Sequence, residues 1–316
     1  KDEIPEPLQI IDDRGRLDLS AFGNNENAKK YHGLKVLEAR AKVVEDLRAV
    51  GLIEKIDENY QHNVQLCYKC NNVIEPLILP QWFVAMTKKI GSKKSLRDMA
   101  VDAVKTKKIQ ILPKRFEKIY MHWMKNLHDW PISRQIWWGI PIPVYYCQEM
   151  KNSKCKTREG IIISDKKDLK ICSHCNSSEI TKDPDTFDTW FSSGQWPYAT
   201  LMAQNSKSSA EGGSASGGKK SKTTNDFEQF YPTDVMETGW DILFFWVARM
   251  IMFGLYKTDK IPFKIVYLHG LLRDKDRQKM SKSKGNTIDP LGMIDQYGAD
   301  AVRMSLIVGN LAGNDI

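Results

Sequence analysis

Hydrophobic and polar positions follow two rhythms along this chain. Between residues 34 and 50 the apolar side chains fall at helical spacing and stop at Gly51, which predicts a helix. The same period recurs over Ser95 to Lys107 and Pro113 to Leu127, the second with proline in its first turn, where it suits a helix start. Phe116, Tyr120, Trp123 and Trp130 recur at helix-like spacing and are expected to form a packed core face. By contrast, Phe263-Lys264-Ile265-Val266-Tyr267-Leu268-His269-Gly270 reads as a buried strand, and Ile288-Asp289-Pro290 opens the helix that follows. Near the start, Leu8-Gln9-Ile10-Ile11 is extended ahead of a turn at Asp12-Asp13-Arg14-Gly15. The Ser/Gly/Lys tract from Asn205 to Asn225 has almost nothing to bury, so it is predicted to be a disordered linker.

The chain's 316 residues are enough to bury a sizeable core and to form about two domains. No segment reaches the roughly 18 consecutive apolar residues of a membrane span, and the richest, Ile242 to Tyr256, is interrupted by Arg249. Lys1-Asp2-Glu3-Ile4-Pro5 is not an apolar signal region, so a cytoplasmic location is expected. The net charge of +8, from 47 basic and 39 acidic residues, suits a polyanionic partner without requiring one. Six cysteines in two clusters point to metal rather than disulfides in a chain of this length.

Chemistry concentrates in a few places. Lys279-Met280-Ser281-Lys282-Ser283, followed by Lys284-Gly285-Asn286, sets three lysines within six residues on the connection from the predicted strand to the next helix. Anions gather at the carboxyl ends of strands in open α/β sheets, and ammonium groups there stabilise charge on a departing pyrophosphate. Asp241, two residues after Gly239 at the opening of an apolar helix, can cap that helix or accept hydrogen bonds from ribose hydroxyls. Cys147, Cys155, Cys172 and Cys175 offer the four thiolates that tetrahedral zinc prefers, although the first pair is spaced Cys-x7-Cys. Cys67-Tyr68-Lys69-Cys70 is a half site by itself.

The order Lys279-Met280-Ser281-Lys282-Ser283 resembles the second signature loop of the class I aminoacyl-tRNA synthetases. Three further segments resemble the valyl members: residues 127–139, residues 185–193 (Asp-Thr-Phe-Asp-Thr-Trp-Phe-Ser-Ser) and residues 237–250 (Glu-Thr-Gly-Trp-Asp-Ile-Leu-Phe-Phe-Trp-Val-Ala-Arg-Met). The resemblance covers essentially the whole chain and implies an α/β fold. In it, residues 1–73 are the tail of a β-rich editing insertion, 74–138 return to the catalytic domain, 139–184 form a zinc module, and 185–316 form the second half of a Rossmann-like catalytic domain. It further implies ATP- and Mg²⁺-dependent activation of valine and its ligation to tRNA(Val), by an enzyme expected to be monomeric when whole. Lys279 and Lys282 would be catalytic, and Gly239, Asp241, His269, Gly270, Met280, Ser281 and Ser283 would join them around ATP. Trp190, Ile242 and Trp246 would shape the valine pocket. Arg134 would contact the tRNA acceptor end or hold the core to the zinc module.

The family's first signature, His-x-Gly-His, does not occur among the six histidines. The isolated chain is therefore expected to be inactive, with the missing half of the nucleotide site, and the editing chemistry, encoded upstream or on another polypeptide. Trp138-Gly139-Ile140-Pro141-Ile142-Pro143 looks as much like the isoleucyl enzyme, but residues 188–193 and 244–249 decide for the valyl one. The missing first signature leaves a noncatalytic zinc- and tRNA-binding fragment as the alternative, while the intact lysine loop argues for an enzyme.

Overall fold

The computed structural model describes residues 8–67, 70–74, 76–149, 155, 160–166, 168–210, 225–308 and 312–315. They fall into two compact units, residues 1–80 and 81–316. In the first, the Asp12–Gly15 turn is closed by a bridge between Ile11 and Leu17, and the short helix α1 (Glu26–Lys29) is capped by the Asn25 side chain. Helix α2 (Val36–Ala49) ends at Val50, ahead of Gly51 at φ 73°, as the periodicity predicts. Among the described residues this unit has isolated bridges but no strand ladder, so it shows none of the β-rich character expected of the insertion as a whole.

The second unit begins with β1 (Phe83–Val84), then helix α3 (Leu96–Lys105), whose N-cap Ser95 accepts from the Asp98 amide. Strand β2 (Gln110–Leu112) leads into helix α4 (Arg115–Lys125). That helix starts two residues after Pro113 rather than on it; the proline carbonyl accepts from the Phe116 amide and serves as the lead-in. Phe116, Tyr120 and Trp130 are buried as expected, while Trp123 is half-buried and stacks on Phe244 at 4.7 Å.

Two short pairings tie the middle of the chain together. Strand β3 (Trp130–Pro131) pairs with β1, and β4 (Ser133–Arg134) awaits a later partner. Strands β5 (Val144–Cys147), β6 (Ile161–Ile163) and β7 (Ile180–Lys182) form an antiparallel sheet with β5 in the middle, and β8 (Thr186–Phe187) returns to pair with β4. Helix α5 (Thr189–Ser193) is capped by Asp188, and helix α6 (Trp196–Ala210) follows it. Because no glycine interrupts the sequence from 196 until Gly212, helical backbone continues to 210, beyond the expected linker start at 205. The rest of that tract, 211–224, lies outside the described residues. Asn225 then caps helix α7 (Asp226–Phe230).

Strand β9 (Thr233–Gly239) passes through a 3-10 turn (Trp240–Ile242) and a turn of π-helix (Leu243–Val247) into helix α8 (Ala248–Thr258). Strand β10 (Phe263–His269) is the segment read as a buried strand; it lies between β2 and β9 and is parallel to both. Helices α9 (Pro290–Tyr297), capped by Asp289, and α10 (Ala299–Val308) complete the chain. The mixed α/β core gathers on this parallel sheet: Leu243, Val247, Met250, Ile251, Val266 and Leu268 are all fully buried. Among the described residues, no helix is long and apolar enough to cross a membrane.

Candidate active site and cysteine cluster

The register of the parallel sheet aligns His269 with Gly239, so β9 and β10 end side by side. Ligands of open α/β sheets collect at such carboxyl ends. Here they open into a cavity of about 540 Å³ lined by Glu237, His269, Gly270, Lys279 and Met280, with Thr287 and Ile288 beyond the lysine loop. Six of the residues expected around a nucleotide therefore converge on one place: Gly239, Asp241, His269, Gly270, Lys279 and Met280. Gly239 is closely approached by side chains: a Cβ there would stand 2.8 Å from Asp241 Oδ1 and 3.1 Å from Leu271 Cδ2, so the ends of both side chains would have to shift. At Gly270 a Cβ would collide with the backbone carbonyl of Asn314.

Asp241 does not cap the helix after it; Gly239 occupies the cap position, and the carboxylate instead meets the Lys279 ammonium at 2.5 Å. Glu237 Oε1 lies 3.3 Å from His269 Nε2, while His269 Nδ1 faces the Gly270 carbonyl at 2.6 Å. The lysine loop is shaped by its own polar groups. Arg273 and Lys279 form an antiparallel bridge around a tight turn, and Asp274 accepts from the amides of Asp276 and Gln278. Asn286 donates to Asp274 Oδ2 at 2.7 Å and accepts from the Ser281 amide at 2.9 Å. That hydrogen bond from Asn286, followed by those from Gln278, holds the Asp274 carboxyl below the usual carboxylate range. Lys282 begins a 3-10 turn that ends at Gly285, in the left-handed region; its side chain is exposed and has no ion-pair partner among the described residues. Ser283's side chain lies outside the described set.

The three residues expected to form an apolar pocket do not line this cavity. Trp190 stacks against Phe245 at 5.9 Å, and Trp246 donates its indole N–H to the Ser193 carbonyl at 3.0 Å. These contacts join α5 to the π-helical turn, a deviation that often marks functional positions. Ile242 is half-buried at the end of the 3-10 turn just before it.

Arg134 is turned inward. It donates to Asp188 Oδ2 at 2.5 Å and to the carbonyls of Pro131 and Ser133. The same Asp188 oxygen accepts from Trp130 Nε1 at 3.1 Å and lies 4.0 Å from Nη1 of Arg249. Arg249 stacks over Trp130 at 3.4 Å, and burial lowers its pKa to about 10. Its Nε and Nη1 atoms are buried and have no hydrogen-bond partner among the described residues.

The second chemical centre is the small antiparallel sheet. All four sulfur atoms of Cys147, Cys155, Cys172 and Cys175 lie within 4.8 Å of one another, with Cys147–Cys175 and Cys155–Cys172 at 3.6 Å. A zinc tetrathiolate with Zn–S near 2.3 Å has edges of about 3.8 Å, so these residues fit a closed structural zinc site. Burial pushes the Cys147 thiol up to about 12, so metal uptake there must displace a proton. The long Cys-x7-Cys spacing does not prevent assembly, because β5 delivers Cys147 to the end of the sheet and the turn at Cys172–Cys175 closes over it.

That turn has a specific backbone pattern: the Cys172 amide donates to the Ser177 carbonyl, the Asn176 amide donates to the Cys172 carbonyl, and Asn176 has φ 57°. In the first unit, Cys67 and Cys70 sit on the same pattern, with Cys67 N to Asn72 O, Asn71 N to Cys67 O, and Asn71 at φ 57°. The half site is shaped like the complete one. Asx residues tolerate the left-handed conformation, and the Asn after each Cys-x2-Cys is the sequence signal for it.

Glu237, Asp274, Asn286 and Asp188 are site residues that motif spacing alone did not single out. Asp274 and Asn286 have turn-forming chemistry, a weak local signal, whereas the contacts of Glu237 and Asp188 depend on distant parts of the chain.

A family profile described as tRNA synthetases class I (I, L, M and V) matches residues 19–316. Valine--tRNA ligase of Clostridium acetobutylicum is 46% identical over 291 residues, which is 92% of this chain and 29% of that protein. Valine--tRNA ligase of Petrotoga mobilis is 44% identical over 311 residues, covering 98% of this chain and 31% of that one. This chain thus spans about 30% of the length of the relatives it matches. Among solved structures, Mycobacterium tuberculosis methionyl-tRNA synthetase bound by methionyl-adenylate aligns at TM-score 0.48 and 18% identity, covering 80% of this chain and 38% of that chain.

Proposed function

The chain belongs to the class I tRNA synthetases, and from that premise we propose that it is the part of a valine--tRNA ligase that holds the pyrophosphate-side loop, the ribose side of the nucleotide and the valine pocket. The observation that carries this reading is the lysine loop closing over the aligned ends of β9 and β10, around a cavity of a size suited to a nucleotide. In the whole enzyme the valine carboxylate would attack the α-phosphate of ATP, release pyrophosphate and give a valyl adenylate. Valine would then pass to the terminal ribose of tRNA(Val). Lys279 and Lys282 would face the departing phosphates, and Mg²⁺ would share that charge.

Asp241 would take the ribose hydroxyls. Since it pairs with Lys279 at 2.5 Å, nucleotide binding would exchange this ion pair for two sets of contacts, ribose with Asp241 and phosphate with Lys279. Glu237 and His269 line the same cavity and would face the nucleoside. Residues 1–73 would be the tail of the editing insertion, and the four-cysteine cluster would hold a structural zinc with no part in the chemistry. Cys67 and Cys70, already in the metal-binding turn, would complete a second site with thiols outside this chain. The isoleucyl reading is less favoured, because the relatives at 43–46% identity are valine enzymes.

Two measurements test the reading. Valine-dependent ATP–pyrophosphate exchange is expected from the full-length polypeptide containing this chain. It should be absent from the 316 residues alone, which span about 30% of the relatives, and return in part when the remaining segments are supplied in trans. Robust exchange by the isolated chain would show that the catalytic groups are all within it. Separately, Trp246→Ala in the full-length polypeptide should raise KM for valine and narrow the preference for valine over larger aliphatic amino acids. It should leave the phosphate chemistry largely intact, since the indole shapes volume rather than charge. Unchanged selectivity would remove Trp246 from the pocket.

A further inference from the structure

We propose that Asp188 and Arg249 form a buried clamp that fixes the spacing of Trp190 and Trp246, making them specificity-determining positioning residues for the aliphatic side chain; this rests on the valine-pocket reading above. Neither residue lines the cavity at the ends of β9 and β10, and both are more than nine-tenths buried.

Asp188 is the hub of four elements. Its Oδ1 accepts from the Trp190 amide at 2.9 Å and so caps α5, and its own amide donates to the Ile132 carbonyl at 2.7 Å. Its Oδ2 takes the Trp130 indole N–H and the Arg134 guanidinium, and faces Arg249 at 4.0 Å. Arg249 lies one helical turn after Trp246, at the start of α8. Its guanidinium carbon lies over Trp130, 3.4 Å from the ring centroid, and 5.9 Å from the Phe245 ring, the ring on which Trp190 stacks. The end of α5 is fastened too, through the Trp246–Ser193 hydrogen bond and the packing of Phe191 edge-on against Phe253 at 5.4 Å.

Each indole is thus held at both ends: Trp190 by its capped amide and Phe245, Trp246 by Ser193 and the helix carrying Arg249. What is unusual is the charge balance. One carboxylate serves two guanidinium groups, and Arg249 retains two buried N–H donors without hydrogen-bond partners among the described residues. Such an arrangement contributes little to net stability, since a well-packed apolar side chain often does as well at a buried ion pair. It does impose direction, because a carboxylate and a stacked guanidinium tolerate less displacement than aliphatic contacts. That suits a pocket in which one methylene separates valine from its larger homologue, a difference worth roughly 10–200-fold.

The test uses the full-length polypeptide. Arg249→Met keeps the length of the stem and removes the charge, while Arg134 still neutralises Asp188. We expect a folded protein with a thermal midpoint close to the parent's, a kcat for valine within about threefold, and a valine-over-isoleucine ratio of kcat/KM lowered at least tenfold. Arg249→Lys, which keeps a cation beside Asp188, should recover most of the ratio. Asp188→Asn preserves a good helix cap and removes the charge, and should lower the ratio in the same way, which covers the case in which Arg249→Met does not fold. Amide hydrogen exchange over residues 188–196 should quicken in both charge-removing variants. An unchanged ratio in folded Arg249→Met or Asp188→Asn overturns the clamp, as does an equal loss of kcat with both amino acids. Should the parent show no valine-dependent exchange, the functional reading fails by itself; the clamp is then judged by hydrogen exchange alone, and unaltered protection of α5 would reject it.

Discussion

Lys282→Ala in the full-length polypeptide is expected to lower kcat for valine activation by roughly 10²-fold or more, comparable to losing one oxyanion donor, with valine affinity barely changed. The two lysines of the loop are not equivalent. Lys279 is held by Asp241, whereas Lys282 is exposed on the 3-10 turn and has no carboxylate partner among the described residues. Under the proposed function, Lys282 would therefore be the cation free to follow charge as it grows on the departing pyrophosphate, an interaction stronger in the transition state than in the ground state. The loop that carries it is stitched by Asp274 and Asn286, so the substitution removes a charge without dismantling its support. The rival outcome is specific. If pyrophosphate exchange is untouched while tRNA binding weakens with a shallower salt dependence, the loop is an RNA contact and the catalytic assignment is wrong.

Cys172→Ser should abolish tight zinc binding by the cluster and expose residues 139–184 to proteolysis. Cys172 is fully buried, and beyond the cysteines the hydrophobic side chains buried in this module among the described residues are few, Ile142, Val144, Tyr145 and Ile162, a small core for three short strands. With zinc in the cluster, as proposed, metal binding would carry much of the module's folding free energy, which in zinc-finger peptides amounts to about 10–16 kcal/mol. Elemental analysis of Cys172→Ser beside Cys67→Ser separates the two cysteine groups. About one zinc should be lost with the first change and retained at the cluster with the second. Loss in Cys67→Ser alone would place the tight site in the first unit.

The sequence by itself determined the elements whose signals are local. The apolar period over 34–50 gave helix α2, the largely apolar segment at 263–269 gave a strand, and Asp289-Pro290 gave the start of α9. It also located the lysine loop, since lysines, serines and a closing glycine are adjacent in the chain and fall on the connection from β10 to α9. Where neighbouring residues gave mixed signals, local reading slipped: α4 begins after Pro113 rather than at it, and α6 continues to 210, into a tract of small polar residues. Tertiary structure alone decided what those groups face. Lys279 meets Asp241 from 38 residues away, Arg134 meets Asp188 from 54 residues away, and Cys155 meets Cys172 across 17 residues. Helical and strand periods arise from hydrogen bonds and side-chain geometry within a few residues, and can be read locally. Ion pairs, thiol clusters and shared carboxylates arise only when packing closes long loops, which is why Asp241 could be read as a cap or a ribose ligand in sequence, yet is Lys279's partner in the fold.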